Sequence, residues 1–388
     1  MASFRSQLGP LLFLTVIFFL NFSARITMAP LMPAIEKDLG LSHGEAGSLF
    51  LLISSGYFIT LIGSGFLSSR LTHKKTIVIS AATVGAALLY IAMSNSLWGI
   101  RSGLLMLGMA AGLYLPSGIA TLTSLISPRH WGKAIAIHEL APNLGFVASP
   151  LIAEAFLTRF PWKVVLAFIG MLSIITAIAF SRFGKGGEFQ GVALSFKSTK
   201  KLFAEPGFLI IMILFSLGIG ASLGLYTMLP LYLITERGLN RSFANILIAL
   251  SRIPGPALAF LAGWASDRFG PIKITGIIFI FTALSTAMLG IMPGAWIIVF
   301  IFLQPTIAVC FFPAGFAVLS SIGPSNARNV AISVTIPVAF MFGGGALPLG
   351  LGIMGDKGSF ALGIVILSVL IFFGFILSLF LKIHVGQN

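Results

Sequence analysis

Two arginines lie deep inside long apolar runs of this sequence. Arg252 stands eleven residues before Gly263, near the end of its run, and a helical rise of about 1.5 Å per residue puts it roughly 16 Å from that end. By the same rise, Arg25 lies about 20 Å into the first run. Both depths are close to the middle of a hydrocarbon core of about 30 Å, where charged side chains are rare and usually functional. Two arginines there indicate a small, negatively charged substrate, because a guanidinium matches a carboxylate.

Each arginine also has a structural interpretation. Arg252 could hold neighbouring helices together through backbone carbonyl groups, and Arg25 could extend toward the membrane surface on its long side chain. Neutral polar side chains inside apolar runs are further candidates for substrate contact, although each could equally be a packed side chain with one hydrogen bond. They are Tyr57, Tyr114, Tyr226 and Gln304.

A histidine and a carboxylate form the candidate proton-coupling group. His138 and Glu139 lie about 8 to 9 Å inside the fifth apolar run, counted from its basic start. Glu139 and Asn143 are four residues apart and share one helix face, so Asn143 joins the predicted substrate contacts. The carboxylate could carry a proton or pair with an arginine; alternatively, basic residues at the start of the run could hold it at the membrane interface. Glu154, near the other end of the run, is expected to be solvent-exposed.

The sequence contains no pattern of a catalytic or cofactor site. It has no carboxylate pair, no cluster of cysteine and histidine, no phosphate-binding glycine loop and no serine-nucleophile motif. Its single cysteine cannot form an intramolecular disulfide. We therefore expect no enzymatic activity, no cofactor and no bound metal. A non-transporting receptor is a further alternative, but the chain has no soluble signalling domain.

Composition indicates a membrane protein. Of 388 residues, 57% are hydrophobic and 9% are charged, a balance typical of proteins whose solvent is lipid. At about 20 apolar residues per crossing, the chain has room for roughly twelve helices, and its continuous apolar runs exclude a barrel of alternating strands.

The net charge of +14 is spread over short loops, so we expect no nucleic-acid partner. Most basic residues fall on one side of the predicted spans, which predicts that both termini are cytoplasmic. We expect a monomeric, multi-pass protein of the inner or plasma membrane, embedded in the lipid bilayer.

The chain repeats itself at an offset of 198 residues. The stretch from Gly65 to Lys75 is echoed from Gly263 to Lys273, as in transporters built from internal repeats. The repeat predicts an N-terminal six-helix bundle over residues 1–182, a cytoplasmic linker with a short surface helix over 183–206, and a C-terminal six-helix bundle over 207–388. Glycine and proline are concentrated in the fourth, fifth, tenth and eleventh runs, which favours either tight helix packing or flexing points for transport.

The stretch from Gly263 to Lys273 contains Gly-x-x-x-Asp-Arg-x-Gly followed by basic residues, and it resembles the signature loop of the major facilitator superfamily. The resemblance covers the whole chain. It implies an all-α integral membrane fold of twelve transmembrane helices in two pseudo-symmetric six-helix bundles, with transport by alternating access. The first copy departs from the pattern, since Ser69 stands where the family has Asp and Thr72 where it has Gly. The resemblance implies a gating role for Gly65, Arg70, Gly263, Asp267 and Arg268.

A second resemblance surrounds Arg25. The segment from Asn21 to Arg25 is similar to the Asn-Tyr-x-Asp-Arg segment of the anion:cation symporter branch, whose arginine helps bind anionic substrates; here Ala24 replaces the Asp. Arg252 resembles, in its span, the eighth-helix arginine of monocarboxylate and oxalate transporters. These features favour a secondary transporter of a small organic anion, with a proton as the expected coupling ion. The alternative is a proton-coupled exporter of drugs or other amphiphiles, with Glu139 as the proton carrier and a phenylalanine-rich cavity as the binding surface.

Overall fold

The computed structural model describes residues 4–191, 203–321 and 328–381. Within these ranges twelve helices are long and apolar enough to cross a membrane, and they confirm the predicted all-α membrane fold. They are α1 Gln7–Leu39, α2 His43–Arg70, α3 His73–Met93, α4 Leu97–Leu125, α5 Pro128–Leu157, α6 Trp162–Phe183, α7 Pro206–Glu236, α8 Arg241–Phe269, α9 Pro271–Ile291, α10 Trp296–Ser321, α11 Val330–Asp356 and α12 Phe360–Ser378. The predicted linker helix and the predicted cytoplasmic C-terminus fall largely on residues 192–202 and 382–388, outside the described residues.

Short polar residues begin several of these helices. The side-chain oxygens of Thr72 and Ser96 each accept a hydrogen bond from the backbone N–H three residues later, at the starts of α3 and α4. Asn240 and Ser359 cap α8 and α12 from the same position before the helix. Such caps satisfy N–H groups that the first helical turn leaves unpaired.

The chain forms two compact units. The first takes residues 1–35 and 52–194, and the second takes residues 36–51 and 195–388, as far as these residues are described. The end of α1 and the start of α2 thus belong by contact to the second unit. The bundle boundaries inferred from the repeat remain a prediction.

The glycine-rich helix α4 packs closely against α2 in the first unit. A Cβ atom added to Gly108 would overlap the carbonyl oxygen of Ile53, and one added to Gly112 would lie 2.7 Å from the carbonyl oxygen of Tyr57. Helix backbones approach this closely only where the contact residues are small. Tight packing therefore accounts for these two glycines, and it fixes the position of α2 around Tyr57.

Several helices of the second unit are interrupted near their middle, among them α7 and α8. Helix α7 contains a π-helical turn at Gly220–Gly224, and α8 is divided into Arg241–Ser251 and Gly255–Phe269. Interruptions of this kind release backbone groups from the regular helical hydrogen bonds. The break in α8 falls at Arg252, which the sequence had suggested to lie in the middle of a continuous span.

The end of α11 closes on the start of α2 within the second unit. The Asp356 carboxylate accepts hydrogen bonds from Ser42 Oγ at 2.9 Å and from the backbone N–H groups of His43 and Gly44 at 2.8 and 2.9 Å. His43 Nδ1 lies 3.0 Å from the Glu36 carboxylate at the end of α1. A carboxylate at a helix N-terminus pairs unsatisfied N–H groups and opposes the helix dipole favourably.

Candidate functional site

Arg25 is buried in the first unit, with 7% of its surface exposed. It lies just before the break in α1 that separates the helical segments Phe4–Ile26 and Met28–Leu39. The central carbon of its guanidinium is 4.3 Å from the ring centroid of Tyr57 on α2 and 5.3 Å from that of Phe22. Aromatic rings at these distances attract a cation through their quadrupole. This burial disagrees with the alternative in which Arg25 extends to the membrane surface.

An aromatic row continues along α1 from Arg25. The rings of Phe22 and Phe18 are 6.5 Å apart between centroids, and Phe22 contacts Phe146 of α5 edge-to-face at 5.1 Å. Gly145 makes room for this contact, because a Cβ atom there would lie 2.9 Å from the Phe22 ring. Arg25 is therefore bordered by aromatic side chains of α1 and α2, and α5 adds a ring against Phe22.

His138 lies at the other end of the aromatic row and is fully buried. Its ring stacks on Phe18 with centroids 4.5 Å apart and an interplanar angle of 10°. Its Nε2 lies 3.0 Å from the hydroxyl of Tyr114, and that hydroxyl donates to the carbonyl oxygen of Leu14 at 2.7 Å. Its Nδ1 lies 3.5 Å from Oε1 of Glu139. The structure thus brings together the predicted proton-coupling pair and the predicted substrate contact Tyr114.

Glu139 joins the two segments of α5, which are Trp131–His138 and Leu140–Leu157. Its side chain is 47% exposed, and its backbone carbonyl accepts a hydrogen bond from Asn143 Nδ2 at 2.8 Å. The prediction that Glu154 is solvent-exposed is wrong, because it is only 8% exposed. It lies four residues after the buried Pro150, on the face of α5 that packs into the unit.

In the second unit, Arg252 is half-buried at the break in α8. Its Nη2 donates to the carbonyl oxygen of Ser222 at 3.1 Å, within the π-helical turn of α7. Its guanidinium carbon lies 4.9 Å from the ring centroid of Tyr226, which is fully buried. Arg252 therefore makes one contact of the kind that its structural interpretation predicts, a hydrogen bond to the backbone carbonyl of a neighbouring helix.

The two arginine–tyrosine pairs lie at nearly equivalent positions of the sequence repeat. Where one copy has the arginine, the other copy has the tyrosine about one helical turn away. The repeat offset of 198 maps Arg25 to position 223, three residues before Tyr226, and maps Tyr57 to position 255, three residues after Arg252. Three residues are about one helical turn. Sequence reasoning missed this relation because the strict offset pairs the arginines with a leucine and a serine. Allowing one turn of slippage between copies would have found it.

Gln304 of α10 is buried in the second unit and makes two hydrogen bonds. Its Nε2 donates to the carbonyl oxygen of Ala221 at 3.0 Å and to Thr286 Oγ1 at 3.2 Å. These contacts join α10 to α7 and α9 beside the turn that holds Ser222. Gln304 therefore supports the backbone that Arg252 contacts, and its predicted contact with substrate stays a prediction.

The predicted gating residues lie in the last two turns of α2 and α8. Asp267 and Arg268 are exposed. Gly270 has φ of +94°, a backbone conformation that favours glycine. In the first copy, the corresponding Thr72 has φ of −130° and caps the next helix instead. The two loops thus turn by different means.

The remaining members of the predicted gating set differ in their surroundings. Arg70 is exposed, with its guanidinium 4.4 Å from the Phe66 ring centroid. Gly65 and Gly263 are half-buried, and a Cβ atom on Gly263 would be 3.6 Å from Pro313 of α10. Across the described ranges, no group of three or more His, Cys, Asp or Glu residues is assembled to hold a metal ion.

A sequence profile described as the Major Facilitator Superfamily matches residues 14–348. The chain belongs to this superfamily. It is similar to the nitrite extrusion protein of Bacillus subtilis (strain 168), with 23% identity over 95% of this chain and 94% of the relative. It is also similar to the 4-hydroxybenzoate transporter PcaK of Pseudomonas aeruginosa, with 22% identity over 68% of this chain and 67% of the relative. The quinolone resistance protein NorA of Staphylococcus aureus is 26% identical over 60% of each chain.

Solved structures give the same fold for this Major Facilitator chain. A bacterial homolog of the human lysosomal transporter Spinster, inward-facing and unoccupied, superposes with a TM-score of 0.82 at 16% identity over 97% of this chain and 98% of the other. A D-xylose-proton symporter superposes with a TM-score of 0.80 at 14% identity over the full length of both chains. The chain is therefore a multi-pass membrane transporter and not an enzyme.

Proposed function

We propose that this transporter moves a small organic anion of the carboxylate type by alternating access. The observation that carries the proposal is the burial of Arg25 in a membrane span with its guanidinium against Tyr57. A guanidinium carries five N–H donors in a rigid planar fork. A planar carboxylate fits such a fork in a bidentate arrangement. A buried cation also gains most from an anion in surroundings of low dielectric constant.

Two further features support an anionic substrate. Arg252 of the second unit is a second cation inside a span, also against a tyrosine ring. Two of the relatives are named for the anions nitrite and 4-hydroxybenzoate. The aromatic row beside Arg25 would suit a substrate that carries an apolar or aromatic body behind its carboxylate, because rings pack well against one another.

The proposal includes a coupling ion and a location. A proton is the coupling ion we propose, carried by the pair His138 and Glu139, whose ring nitrogen and carboxylate are 3.5 Å apart. We further propose a monomer in the inner or plasma membrane, with both termini in the cytoplasm, because most basic residues fall in the loops on that side.

A proton-coupled exporter of drugs or other amphiphiles is the second candidate function. The relative NorA is named for quinolone resistance. Phe18, Phe22 and Phe146 could contact an apolar compound directly. In that case Glu139, which is partly exposed, would exchange protons while the arginines served packing.

Flux through purified protein in proteoliposomes tests the proposal. The panel should contain nitrite, short aliphatic carboxylates, 4-hydroxybenzoate, and neutral and cationic amphiphiles. We expect saturable flux of one or more carboxylates, lost in Arg25→Gln and kept in Arg159→Gln, a matched control at an exposed position. Flux of amphiphiles without any flux of carboxylates would favour the exporter instead.

A further inference from the structure

The hydrogen bonds of His138 fix which of its nitrogens carries hydrogen. The hydroxyl of Tyr114 has one proton, and it donates that proton to the carbonyl oxygen of Leu14 at 2.7 Å. The same hydroxyl lies 3.0 Å from His138 Nε2, so in this contact it can only accept. Nε2 must therefore carry the hydrogen in the neutral ring, and Nδ1 must carry the lone pair.

The lone pair of Nδ1 is buried. No hydrogen-bond partner of Nδ1 is found among the described residues, and the side chain has no exposed surface. The polar atom next to it is Oε1 of Glu139, at 3.5 Å. A proton bound to Nδ1 would lie next to this carboxylate. Tyr114 and Glu139 are titratable groups that contact His138.

The ring of His138 also connects with the candidate anion site. It stacks on Phe18 with centroids 4.5 Å apart, Phe18 contacts Phe22 at 6.5 Å, and Phe22 borders the guanidinium of Arg25 at 5.3 Å. A charged imidazolium interacts with an aromatic face more strongly than a neutral imidazole does. Protonation of His138 would therefore change the force on α1, the helix that carries Arg25.

We infer that Nδ1 of His138 is the atom that holds the coupling proton, that Glu139 delivers the proton from its exposed position, and that Tyr114 orients the ring. The inference rests on the proton coupling included in the proposed function. The step forms one N–H bond at Nδ1 and breaks one O–H bond at the Glu139 carboxylic acid, and no electron is transferred. Tyr114 acts as a positioning residue, since it accepts from Nε2 and never binds the moving proton.

Nitrogen-15 NMR spectroscopy of protein labelled at its histidines tests which ring nitrogen of His138 binds the proton. The measurement needs no substrate. The His138 signals are assigned by their absence in His138→Gln. We expect hydrogen on Nε2 in the neutral ring and a second hydrogen on Nδ1 in acidic buffer. In Tyr114→Phe the neutral ring should become a mixture of both tautomers, because the acceptor at Nε2 is gone. Hydrogen on Nδ1 in the neutral wild-type ring, or no protonation in acidic buffer, would overturn the inference.

Transport provides the second readout. Two rates are compared in each variant: uptake driven by a pH gradient, and substrate exchange without a gradient. We expect the first rate divided by the second to fall at least about tenfold in His138→Gln. In Glu139→Gln, gradient-driven uptake should slow and its pH dependence should flatten. The matched control is His73→Gln, a buried histidine at the start of α3 whose Nδ1 contacts Ser117 Oγ at 3.2 Å; its ratio should equal that of wild type. An unchanged ratio in His138→Gln would overturn the inference.

The two proposals can fail separately. If the spectra show the expected protonation but no carboxylate is transported, the anion hypothesis is wrong and the proton site stands. If carboxylate flux requires Arg25 but His138 does not titrate, the anion hypothesis stands and the proton site is wrong.

Discussion

Arg25 and Arg252 both lie against a tyrosine ring, but they differ in what else holds them. Arg25 is buried among aromatic side chains of α1 and α2. Arg252 is half-buried and also donates to the backbone of α7 through Ser222. Part of the contribution of Arg252 therefore goes to holding α8 on α7.

Replacement of either arginine should weaken substrate binding. A charge-assisted hydrogen bond contributes about 1.5 to 3 kcal/mol, so Arg25→Ala and Arg252→Ala should each raise Kd roughly ten- to a hundredfold. The corresponding lysine variants should recover only part of this, because lysine keeps the charge but lacks the planar fork. Calorimetric titration of purified protein with the transported anion measures Kd, and thermal melting separates stability from binding.

Arg237 provides the control for this prediction. Its Nε donates to the Tyr232 hydroxyl and its Nη2 to the carbonyl oxygen of Gly290, each at 2.6 Å, so it joins α7 to α9. Arg237→Lys should lower Tm and leave Kd unchanged. Wild-type Kd for every anion in both alanine variants would show that Arg25 and Arg252 are structural.

The type and depth of these side chains could be predicted from the sequence, but their partners could not. A charged residue inside an apolar run can be read from the sequence alone, which is why Arg25, Arg252 and Glu139 are candidates. The contact of Arg25 with Tyr57 depends on how two helices are rotated against each other, and no spacing within one helix reports that rotation. The prediction for Glu154 was wrong for the same reason, since the exposure of its side chain depends on which face of α5 is buried.

At the scale of elements, the candidate residues coincide with breaks in their helices. Arg25 precedes the break between Ile26 and Met28, His138 ends the first segment of α5, and Arg252 directly follows the first segment of α8. In a membrane span, irregular backbone is stable only where protein or water satisfies its polar groups. The sequence predicted continuous spans, because apolar composition alone does not reveal where hydrogen bonding within a helix is interrupted.

The carboxylate of Asp356 should stabilise the start of α2. It accepts from two backbone N–H groups and from Ser42 Oγ, and loss of an N-terminal cap costs about 0.5 to 2 kcal/mol. Tm should therefore fall in the order wild type, Asp356→Asn, Asp356→Ala, since the amide keeps one acceptor oxygen. Asp267→Ala, at an exposed position, is the control and should shift Tm less. Equal melting of all four proteins would show that the cap contributes nothing.

The two copies of the signature loop should respond differently to mutation. The family pattern is complete in the second copy, where Gly270 adopts a positive φ. In the first copy Ser69 replaces the acid, and its Oγ donates to the carbonyl of Phe66 at 2.8 Å. We expect Asp267→Asn to slow transport by about tenfold or more and Ser69→Asn to leave it within about twofold. Proteoliposome flux at matched protein density measures both rates, and an unchanged rate in Asp267→Asn would remove the basis for a charge-dependent gate.

At the scale of the whole molecule, the offset of 198 residues indicated two copies of one unit. Superfamily membership agrees with that interpretation. The repeat could not predict that residues 36–51 pack with the second unit. That association depends on contacts specific to one copy, such as those of Asp356 with His43 and Gly44. A repeated sequence predicts what the copies share, whereas contacts made by only one copy appear in the structure alone.

The proposed orientation can be tested with single cysteines. Cys310 is buried and its Sγ donates to the carbonyl oxygen of Thr306 at 3.3 Å, so Cys310→Ser keeps a donor there and gives a background without cysteine. Lys185 follows six spans and Lys357 follows eleven, and both side chains are exposed. With a cytoplasmic N-terminus, an even number of crossings returns the chain to the cytoplasm and an odd number leaves it outside.

A maleimide that does not cross membranes should therefore label Lys357→Cys in intact cells, and Lys185→Cys only after lysis. The background protein should stay unlabelled in both conditions. The reverse pattern would place both termini outside the cell, and the bias of basic residues toward Lys185 would then contradict the positive-inside rule.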